Sequence, residues 1–462
     1  MLFLPPFFPV LNYTKNNKSA RFFMPPKEML VDQFANIHKN RHALHHAATL
    51  KIAHAKRYNH LIGLLLIDLD NFKSINSHLG HLMGDKLLLE THARLAACLN
   101  SDDFIARIDG DEFVVLLGNV TSPKTAETAI RKIMHCFTQN YNLNGITARI
   151  NASMGVAYYP HAGVDASALL QSAAMCMSHA KSLGGNNYQC YTETIKKKYT
   201  KQSYLENALK FALEKKELFL TYQPIFKLAT KEMVGMEALL RWRHPSIGLI
   251  SPDTFIKLAE NNGLISSIGE WALQTVCEQA KKWHNAGHNQ FKISFNISSN
   301  QLLQKSFLHF MMRMFKSTHM PAHLLELELT ETAFLTKASY FKAILKKISK
   351  TGIGITIDDF GTGHSSLIRL KNLPIRALKI DKSFVFNITP DSFDAIIVNS
   401  LITLGKKLNM NVIAEGIETK ADLEFLVSNG CPQGQGYYLC KPLNAKQMTA
   451  FLKKNKKTSG SR

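Results

Sequence analysis

The feature that most constrains the fold of this chain is a series of short apolar runs in its second half, nearly all ending in a polar residue. We count eight such runs, separated by helical patterns, and this number and order are typical of a (β/α)8 barrel of roughly 250 residues. The predicted strands cover 218–222, 234–236, 291–295, 324–327, 354–357, 377–380, 412–414 and 434–438. The second half is therefore predicted to be an α/β domain with a TIM-type barrel.

Residues capable of chemistry stand at or just after nearly every predicted strand. In chain order they are Gln223, Glu237, Arg241, Asn296, Glu328, Glu331, Asp358, Asp359, Lys379, Asp381, Glu415 and Gln435. Function in this fold collects at the carboxyl ends of the strands, so these side chains are expected to converge on one mouth of the barrel. Any one acid alone is more simply a helix cap or a loop charge, but that interpretation does not account for the whole set.

The types of side chain in this set indicate a particular chemistry. Carboxylate and amide oxygens are hard ligands that suit Mg²⁺ or Mn²⁺. Adjacent acids such as Asp358 and Asp359 can flank a metal pair about 3.5–4 Å apart, which polarises a phosphoryl oxygen and activates a water. A lysine can hold that water, and Arg241 can clamp a phosphate that does not react. The residues alone thus predict metal-assisted phosphoester hydrolysis without naming a substrate.

The first half of the chain predicts a separate α/β or α+β domain. Apolar runs at 61–67 and 113–117 and an alternating run at 148–156 indicate strands, whereas 79–100 and 126–142 show helical periodicity. A chain of 462 residues is too long for one typical core, which agrees with two domains.

A polar, lysine-rich stretch, followed by a predicted helix from Tyr204 to Lys216, separates the two halves near residue 195. The predicted regions are an N-terminal extension at 1–31, a first domain at 32–194, a linker at 195–203, a second domain at 204–457 and a tail at 458–462.

The charge balance, 56 Lys plus Arg against 35 Asp plus Glu, gives a formal net charge of +21. Such an excess attracts nucleic acid, anionic membranes and phosphorylated small molecules alike. Much of the basic charge lies in lysine blocks typical of solvated faces and tails. Because no recognition motif accompanies it, we expect no nucleic-acid partner.

Cysteine usage and hydropathy indicate a cytoplasmic protein without a membrane span. Seven cysteines without paired-ligand spacing are typical of reduced thiols. The apolar start at 1–11 is short, carries three prolines and lacks a basic region, which argues against a signal peptide. Between His38 and His60 several histidines would share a helical face, but without acidic or cysteine partners we prefer a polar surface to a metal site.

Several motifs of the second half resemble those of the EAL-domain cyclic di-GMP phosphodiesterases, over about Tyr204 to Lys454. They are EALLRW at 237–242, DDFGTG at 358–363, KID at 379–381, AEGIE at 414–418 and QGY at 435–437. The resemblance implies that the barrel hydrolyses cyclic di-GMP to linear pGpG at a two-metal site that holds Mg²⁺ or Mn²⁺. The implied catalytic residues are Glu237, Asp358, Asp359, Lys379 and Glu415.

The same resemblance implies a role for each matched residue. The ligands implied for one metal ion are Glu237, Asn296, Glu328 and Asp358. Those implied for the second ion are Asp358, Asp359 and Glu415. Lys379 would position the attacking water, and the residues implied to contact the substrate are Gln223, Arg241 and Gln435. Glu331 matches the glutamate that steadies the loop after Asp359, and in that loop His364 replaces the usual tyrosine, which we expect to tune the loop rather than disable it.

RIDGDEF at 107–113 and DLDNFK at 68–73 resemble motifs of the GGDEF diguanylate cyclases, which join two GTP molecules into cyclic di-GMP. The resemblance covers about Asp32 to Tyr191. It implies a nucleotide and metal site in which Asp68 and Asp111 bind metal, Asn76 and Asp85 read guanine and Lys73 approaches phosphate. The remaining members implied for this site are Glu112, a further acid at the turn, and Lys181, a lysine that the family keeps.

Three departures from the GGDEF pattern bear on activity. Asp109 replaces the first glycine, where backbone approaches a triphosphate, and adds both bulk and like charge. Gly185 replaces the phosphate-binding arginine, and Asn100 replaces the arginine of the product-inhibition site, where Asp103 remains. We therefore expect weak or absent cyclase activity in a degenerate domain that still binds GTP with Mg²⁺ and regulates its neighbour.

Three functions remain open at this point. The preferred one is a phosphodiesterase with a regulatory cyclase-like domain. A bifunctional enzyme that makes and breaks cyclic di-GMP is the first alternative, and a non-catalytic cyclic di-GMP receptor is the second. Dimerisation is common in both families, so a homodimer is expected, although no residue pattern specifies it.

Overall fold

The computed structural model describes residues 37–288, 291–331, 333, 338–361 and 373–459. The backbone contacts divide the chain into two compact units, one ending at Ser203 and the other beginning at Tyr204. No helix within the described ranges is long and apolar enough to cross a membrane. His364 and the N-terminal residues 1–36 lie outside the described residues.

The first unit combines a mixed sheet with helices on both faces. Its elements are α1 (Ile37–Tyr58), β1 (Leu61–Leu69), α2 (Phe72–Leu79), α3 (His81–Ala97), β2 (Phe104–Asp109), β3 (Glu112–Val120), α4 (Pro123–Cys136), β4 (Tyr141–Leu143), β5 (Ile146–Ala148), β6 (Ala152–Tyr159), α5 (Ala166–Ser182), β7 (Tyr188–Cys190) and α6 (Glu193–Leu209), the last of which ends in the second unit.

The five-stranded sheet of the first unit has the order β2-β3-β1-β6-β7, with β1 at its centre. Alternate residues of β1 point to opposite faces, as the pleat requires. Leu64 and Leu66 pack with α1 and α5, whereas Leu65 and Ile67 pack with α2, α3 and α4. Because both faces are covered, β1 is a continuous apolar run rather than an alternating one.

Two predictions for the first unit need correction. The helix predicted at 79–100 is α3, which begins later, at His81, and ends earlier, at Ala97; Leu79 belongs to α2, because Gly80 has φ +84° and separates the two helices. The strand predicted at 148–156 is instead β6, from Ala152 to Tyr159, and Ala148 belongs to a short hairpin of β4 and β5.

The second unit contains the strands and helices of a barrel. Its elements are β8 (Leu218–Lys227), β9 (Met233–His244), β10 (Gly248–Ile250), α7 (Pro252–Asn261), α8 (Ile265–Asn285), β11 (Lys292–Asn296), α9 (Ser299–Leu303), α10 (Lys305–Thr318), a 3₁₀ turn (Ala322–Leu324), β12 (Leu325–Thr330), α11 (Ala338–Ser349), β13 (Gly354–Phe360), β14 (Ala377–Ile380), α12 (Lys382–Val385), α13 (Phe393–Lys407), β15 (Asn411–Ala414), α14 (Lys420–Ser428), β16 (Gln433–Gly434), β17 (Leu443–Asn444) and α15 (Ala445–Ser459).

Eight of these strands close a barrel, which confirms the predicted fold class. The ring runs β9-β11-β12-β13-β14-β15-β16-β8 and closes through the pairing of β8 with β9. The strands from β9 to β16 are parallel to their neighbours around the ring, but β8 is antiparallel to both β9 and β16. A short turn joins β8 to β9, so the expectation that helices separate all eight strands is wrong for this pair.

Two predicted elements of this half also differ from the structure. The helix expected at Tyr204–Lys216 begins earlier, at Glu193, and ends at Leu209, so the lysine-rich stretch predicted as a linker is helical. The last strand, expected at 434–438, is limited to Gln433–Gly434, and Tyr437 lies in a turn beyond it.

Candidate active site

The carboxyl ends of the parallel strands place a set of acids around one lysine. Lys379, on β14, is completely buried. Its Nζ lies 3.1 Å from Glu237 on β9, 2.9 Å from Glu328 on β12, 3.4 Å from Asp358 on β13 and 2.5 Å from Glu415, just after β15. The structure thus brings together predicted site residues from five strands, as convergence on one mouth of the barrel requires.

Lys379 and the surrounding acids strongly shift one another's pKa values. Burial opposes the charged form of Lys379, but the surrounding carboxylates outweigh it and raise the pKa of the lysine well above its ordinary value. For Glu237, burial favours the neutral acid, but Lys379 and the amide of Gln435 prevail and lower its pKa. Lys379 therefore stays protonated, and Glu237 stays ionised, at neutral pH.

One lysine does not neutralise four carboxylates, so the pKa values of the remaining acids are raised. Burial raises the pKa of Glu328 well above its ordinary value, and it also raises the pKa of Asp358. Burial, together with the charges of Asp358 and Glu237, raises the pKa of Glu415 to about 8. Burial and the adjacent Asp358 raise the pKa of Asp359 to about 6. Additional positive charge would therefore stabilise the cluster.

Two overlapping triads of these acids are close enough to hold metal ions. Glu237, Glu328 and Asp358 form one triad and Asp358, Asp359 and Glu415 form the other, with the oxygens of each triad within 4.8 Å of one another. The buried Oε1 atom of Glu328 has no hydrogen-bond partner, as expected for an oxygen that completes its coordination with a cation. Hard oxygen donors and the uncompensated negative charge fit Mg²⁺ or Mn²⁺.

Two amide side chains orient acids of the cluster. Asn296 Nδ2 donates to Glu237 Oε1 at 2.7 Å. Gln435 Nε2 donates to Glu237 Oε2 at 2.6 Å and to Glu415 Oε1 at 2.9 Å. Gln435 is predicted from the sequence only as a substrate contact; its bond to Glu237, 198 positions away, leaves no local signal in the sequence.

The other predicted substrate contacts are Gln223, directly opposite Glu237 in the sheet, and Arg241, four residues after it on β9. Gln223 is buried and donates to the carbonyl of Cys440 at 3.2 Å. Arg241 donates to the carbonyl of Leu240 at 2.8 Å, and burial lowers the pKa of its guanidinium, which Tyr437 and Glu237 partly offset. Tyr437 is a rim residue that sequence reasoning did not assign, although it follows Gln435 by two positions.

The segment after β13 is held in an unusual backbone conformation. Asp359 has φ +53°, in the left-handed region, and its N–H donates to the carboxylate of Asp358 at 3.0 Å. Gly361 donates its N–H to Glu331 Oε2 at 3.0 Å. The buried Glu331 therefore contacts the segment that the sequence analysis expected it to steady.

A cavity of about 160 Å³ lies at the opposite, amino end of the parallel strands. Its lining includes Lys292 and Glu326, whose side chains form an ion pair of 2.7 Å, together with the small residues Gly235, Ser294 and Ala377. The acids around Lys379 are not among its lining residues, so the cavity is separate from the metal triads.

In the first unit, a second group of acids surrounds the end of β1. Asp68 forms an ion pair of 2.6 Å with Lys181, and burial raises the pKa of Asp68. Glu112 pairs with Asp68 across the sheet, and burial, with the charge of Asp68, raises its pKa as well. Asp111 is near enough to influence both acids.

The remaining predicted nucleotide residues lie on α2 and α3. Asn76 has a buried Oδ1 without a hydrogen-bond partner, and a Cβ at Gly84 would lie 1.8 Å from it. Asp85 is near Arg107, whereas Lys73 is exposed on α2. The structure therefore places Asp68, Asp111, Glu112 and Lys181 together, but gives Lys73 no contact with them in the described hydrogen bonds.

The three departures of the first unit have structural counterparts. Asp109 ends β2, is 65% exposed and lies 3.9 Å from Arg41. Gly185 has φ +74° and stands so close to Asp70 that a Cβ would lie 3.0 Å from its carboxylate. Asp103 accepts from the N–H groups of Asn100 at 2.8 Å and Gly118 at 3.0 Å, so both of its oxygens serve the local turn.

Two family models match the chain. The EAL domain model matches residues 206–442, and the model for the diguanylate cyclase GGDEF domain matches residues 29–187. The first match covers just over half of the chain and coincides with the barrel. The second coincides with the mixed sheet of the first unit.

Two curated proteins are similar to this chain over most of its length. The chain is 40% identical to the bifunctional diguanylate cyclase/cyclic di-GMP phosphodiesterase MucR of Pseudomonas aeruginosa, over 89% of this chain and 60% of MucR. It is 36% identical to the cyclic di-GMP phosphodiesterase NbdA of the same organism, over 85% of this chain and 50% of NbdA. The chain thus spans between half and two thirds of the length of these relatives.

Among solved structures, the barrel is similar to the phosphodiesterase part of MucR of Pseudomonas aeruginosa in complex with cyclic di-GMP. That chain is 42% identical, with a TM-score of 0.52, and the match covers 53% of this chain and 99% of that one.

Proposed function

The chain belongs to the EAL family, with a GGDEF domain ahead of its EAL barrel, and we propose that the barrel hydrolyses cyclic di-GMP to linear pGpG with Mg²⁺ or Mn²⁺. The observation that carries this proposal is the ring of four carboxylates around the buried Lys379. The names of MucR and NbdA support the choice of substrate.

Within the proposal, the two acid triads hold the divalent ions. Glu237, Glu328 and Asp358, with the amide of Asn296, are the ligands of one ion, and Asp359 and Glu415 join Asp358 for the second. Bound divalent ions polarise a phosphoryl oxygen and lower the pKa of a bound water, so that hydroxide forms near neutral pH. Asp358 is common to both triads, so it would be a ligand of both ions.

The protein side chains bind and orient the reactants. The Lys379 ammonium has three N–H donors, which contact the surrounding carboxylates, and it would hold the attacking water. Arg241, at the rim, clamps the phosphate that does not react, because a guanidinium matches phosphate oxygens in a bidentate fashion. Gln223, directly opposite Glu237 on the neighbouring β8, and Gln435, just after β16, contact the substrate.

For the first unit, we propose a degenerate cyclase domain that binds GTP with Mg²⁺ and regulates the barrel. Asp68, Asp111 and Glu112 provide the acids of a metal site, and Asn76 has a buried oxygen free to meet a ligand. The exposed carboxylate of Asp109 repels a triphosphate, and Gly185 provides no guanidinium to offset it. Both features oppose the alternative of a bifunctional enzyme, which the name of MucR favours.

The other alternative, a receptor that binds cyclic di-GMP without cleaving it, requires no metal ligands. The complete set of acids argues against it. A direct test replaces Glu237 by Ala and follows pGpG formation with Mn²⁺. We expect a loss of turnover of at least 100-fold.

The matched control for this test is Glu278→Ala. Glu278 is exposed on α8 and bonds only to Gln274 of the same helix in the described contacts, at 2.9 Å. This variant keeps full turnover if the assay reports the site. Unchanged turnover in Glu237→Ala contradicts the metal assignment.

A further inference from the structure

Two cysteines of the first unit lie next to each other although 38 residues separate them in sequence. Cys98 follows α3 directly and Cys136 is the last residue of α4. Their Sγ atoms are 2.7 Å apart, closer than unbonded sulfur atoms pack, and both residues are free and partly exposed. A disulfide needs a separation of about 2.05 Å, so a small side-chain shift suffices.

The backbone on either side of the two thiols is already fixed by other contacts. Arg94 of α3 donates to the carbonyls of Cys136 at 3.4 Å, Gln139 at 3.1 Å and Asn140 at 2.7 Å. Lys132 of α4 donates in return to the carbonyl of Cys98 at 3.3 Å. The ends of the two helices are therefore held together before any covalent bond forms.

We propose that Cys98 and Cys136 are a reversible thiol–disulfide site, oxidised by low-molecular-weight disulfides of the glutathione class. In the first step the Cys98 thiolate attacks one sulfur of glutathione disulfide, and one glutathione leaves as a thiolate. In the second, Cys136 loses its proton, displaces the second glutathione and forms the intramolecular bond. The balance is two protein thiols plus one glutathione disulfide giving one protein disulfide plus two glutathione thiols.

The environment assigns the order of these steps. Burial and the contact with Cys98 raise the pKa of the Cys136 thiol to about 12, so this thiol is a poor first nucleophile. Cys98 is therefore the sulfur that reacts first, and Cys136 resolves the mixed disulfide. Cytoplasmic disulfides of this kind are transient and redox-responsive rather than structural.

The bond would close a long loop between α3 and α4. Cross-links that close loops of this length stabilise the folded state chiefly by restricting the unfolded chain. We expect the unfolding midpoint of the first unit to rise by roughly 10 °C on oxidation and to return on reduction. Because α3 also carries Asp85, oxidation stiffens the helix that the proposed nucleotide site uses.

The test incubates the full chain with glutathione disulfide, blocks free thiols by alkylation and maps tryptic peptides without reduction. Trypsin releases Cys98 in the peptide 95–107 and Cys136 in the peptide 133–149. We expect these two peptides to be linked, and dithiothreitol to separate them. Cys98→Ser and Cys136→Ser should each abolish the link, whereas Cys440→Ser, in the second unit, should keep it.

Recovery of both peptides fully alkylated after exposure to excess glutathione disulfide would overturn the proposal. So would a scrambled set of links among all the cysteines, because it would show that pairing follows unfolding. The peptide map of the unaltered chain decides the question even where a serine variant folds poorly.

Discussion

Replacement of Lys379 by Met isolates the role of the buried lysine, because methionine keeps most of the volume and removes the charge. Four carboxylates lie within 3.4 Å of the ammonium. Removing one partner of a buried charge pair costs about 3–5 kcal/mol, since the other charge is left unpaired. We therefore expect this loss in the free energy of unfolding at pH 8.5 with a chelator present.

The loss in the free energy of unfolding caused by Lys379→Met should be smaller at lower pH. Without the lysine, the folded chain compensates by binding a proton among its acids, and proton uptake becomes easier by about 1.4 kcal/mol for each pH unit. Glu415, whose pKa is raised to about 8 even beside the lysine, is one of the acids that take up a proton in this range. Between pH 8.5 and pH 5.5 the destabilisation should fall by about 2–4 kcal/mol.

The assay is urea unfolding of the full chain at both pH values, followed by tryptophan fluorescence. Lys227→Met is the matched control, since Lys227 is half-exposed and its partner in the described ion pairs, Glu232 at 3.1 Å, is exposed as well. We expect a loss of about 1 kcal/mol or less there. An equal loss for Lys379→Met at both pH values would refute the reasoning, because it would indicate lost packing rather than lost charge.

Three further predictions concern the metal site, the segment after β13 and the first unit. With a chelator present, the thermal unfolding midpoint should fall as the pH rises from about 5 to 8, because the folded acids with raised pKa values keep protons that the unfolded chain has lost. Mn²⁺ should raise this midpoint most at pH 8. A midpoint insensitive to Mn²⁺ would contradict the metal fit. Glu331→Ala should lower kcat by roughly 10–100-fold with the fold retained, because the N–H of Gly361 loses its acceptor. An unchanged kcat in steady-state assays would count against a role of Glu331 in positioning the segment after β13. Asp109→Gly should tighten GTP binding several-fold in calorimetry, because it removes the carboxylate that repels the triphosphate. It should not restore cyclase activity, since Gly185 still provides no guanidinium. Unchanged affinity for GTP would exclude repulsion by Asp109.

The barrel was predictable from the sequence because each strand is a short apolar run and each run ends in a polar residue. The direction of a strand, parallel or antiparallel to its neighbours, is not indicated by the residue pattern within the strand. The pattern at 218–222 is the same for a parallel and an antiparallel strand, so the antiparallel β8 became evident only from its pairing with β9 and β16. Strand direction depends on the connection between strands. The short turn at 228–232 allows only an antiparallel pair, because parallel strands need a long crossover connection.

The lysine-rich stretch at 195–203 shows how composition can mislead. It was interpreted as a linker because it is polar, yet lysine is a good helix former. Leu205 and Leu209, further along the same helix, pack against the buried Trp242. This tertiary contact fixes the end of α6, and no pattern within the stretch itself indicated it.

The grouping of these acids at one end of the barrel was predictable from the sequence, but the geometry within the group was not. The residue types and their positions after the strands identified Glu237, Glu328, Asp358 and Glu415. That Lys379 contacts all four acids depends on the stagger of neighbouring strands, which no single strand specifies. The proximity of Cys98 and Cys136 depends in the same way on the packing of two helices.

The most direct test of the account is the chromatography of products after the purified chain is incubated with cyclic di-GMP and Mn²⁺. We predict that pGpG accumulates with Mn²⁺ or Mg²⁺ and that a chelator abolishes it. Tight binding of cyclic di-GMP without pGpG, in the presence of either metal ion, would contradict the account and favour the receptor.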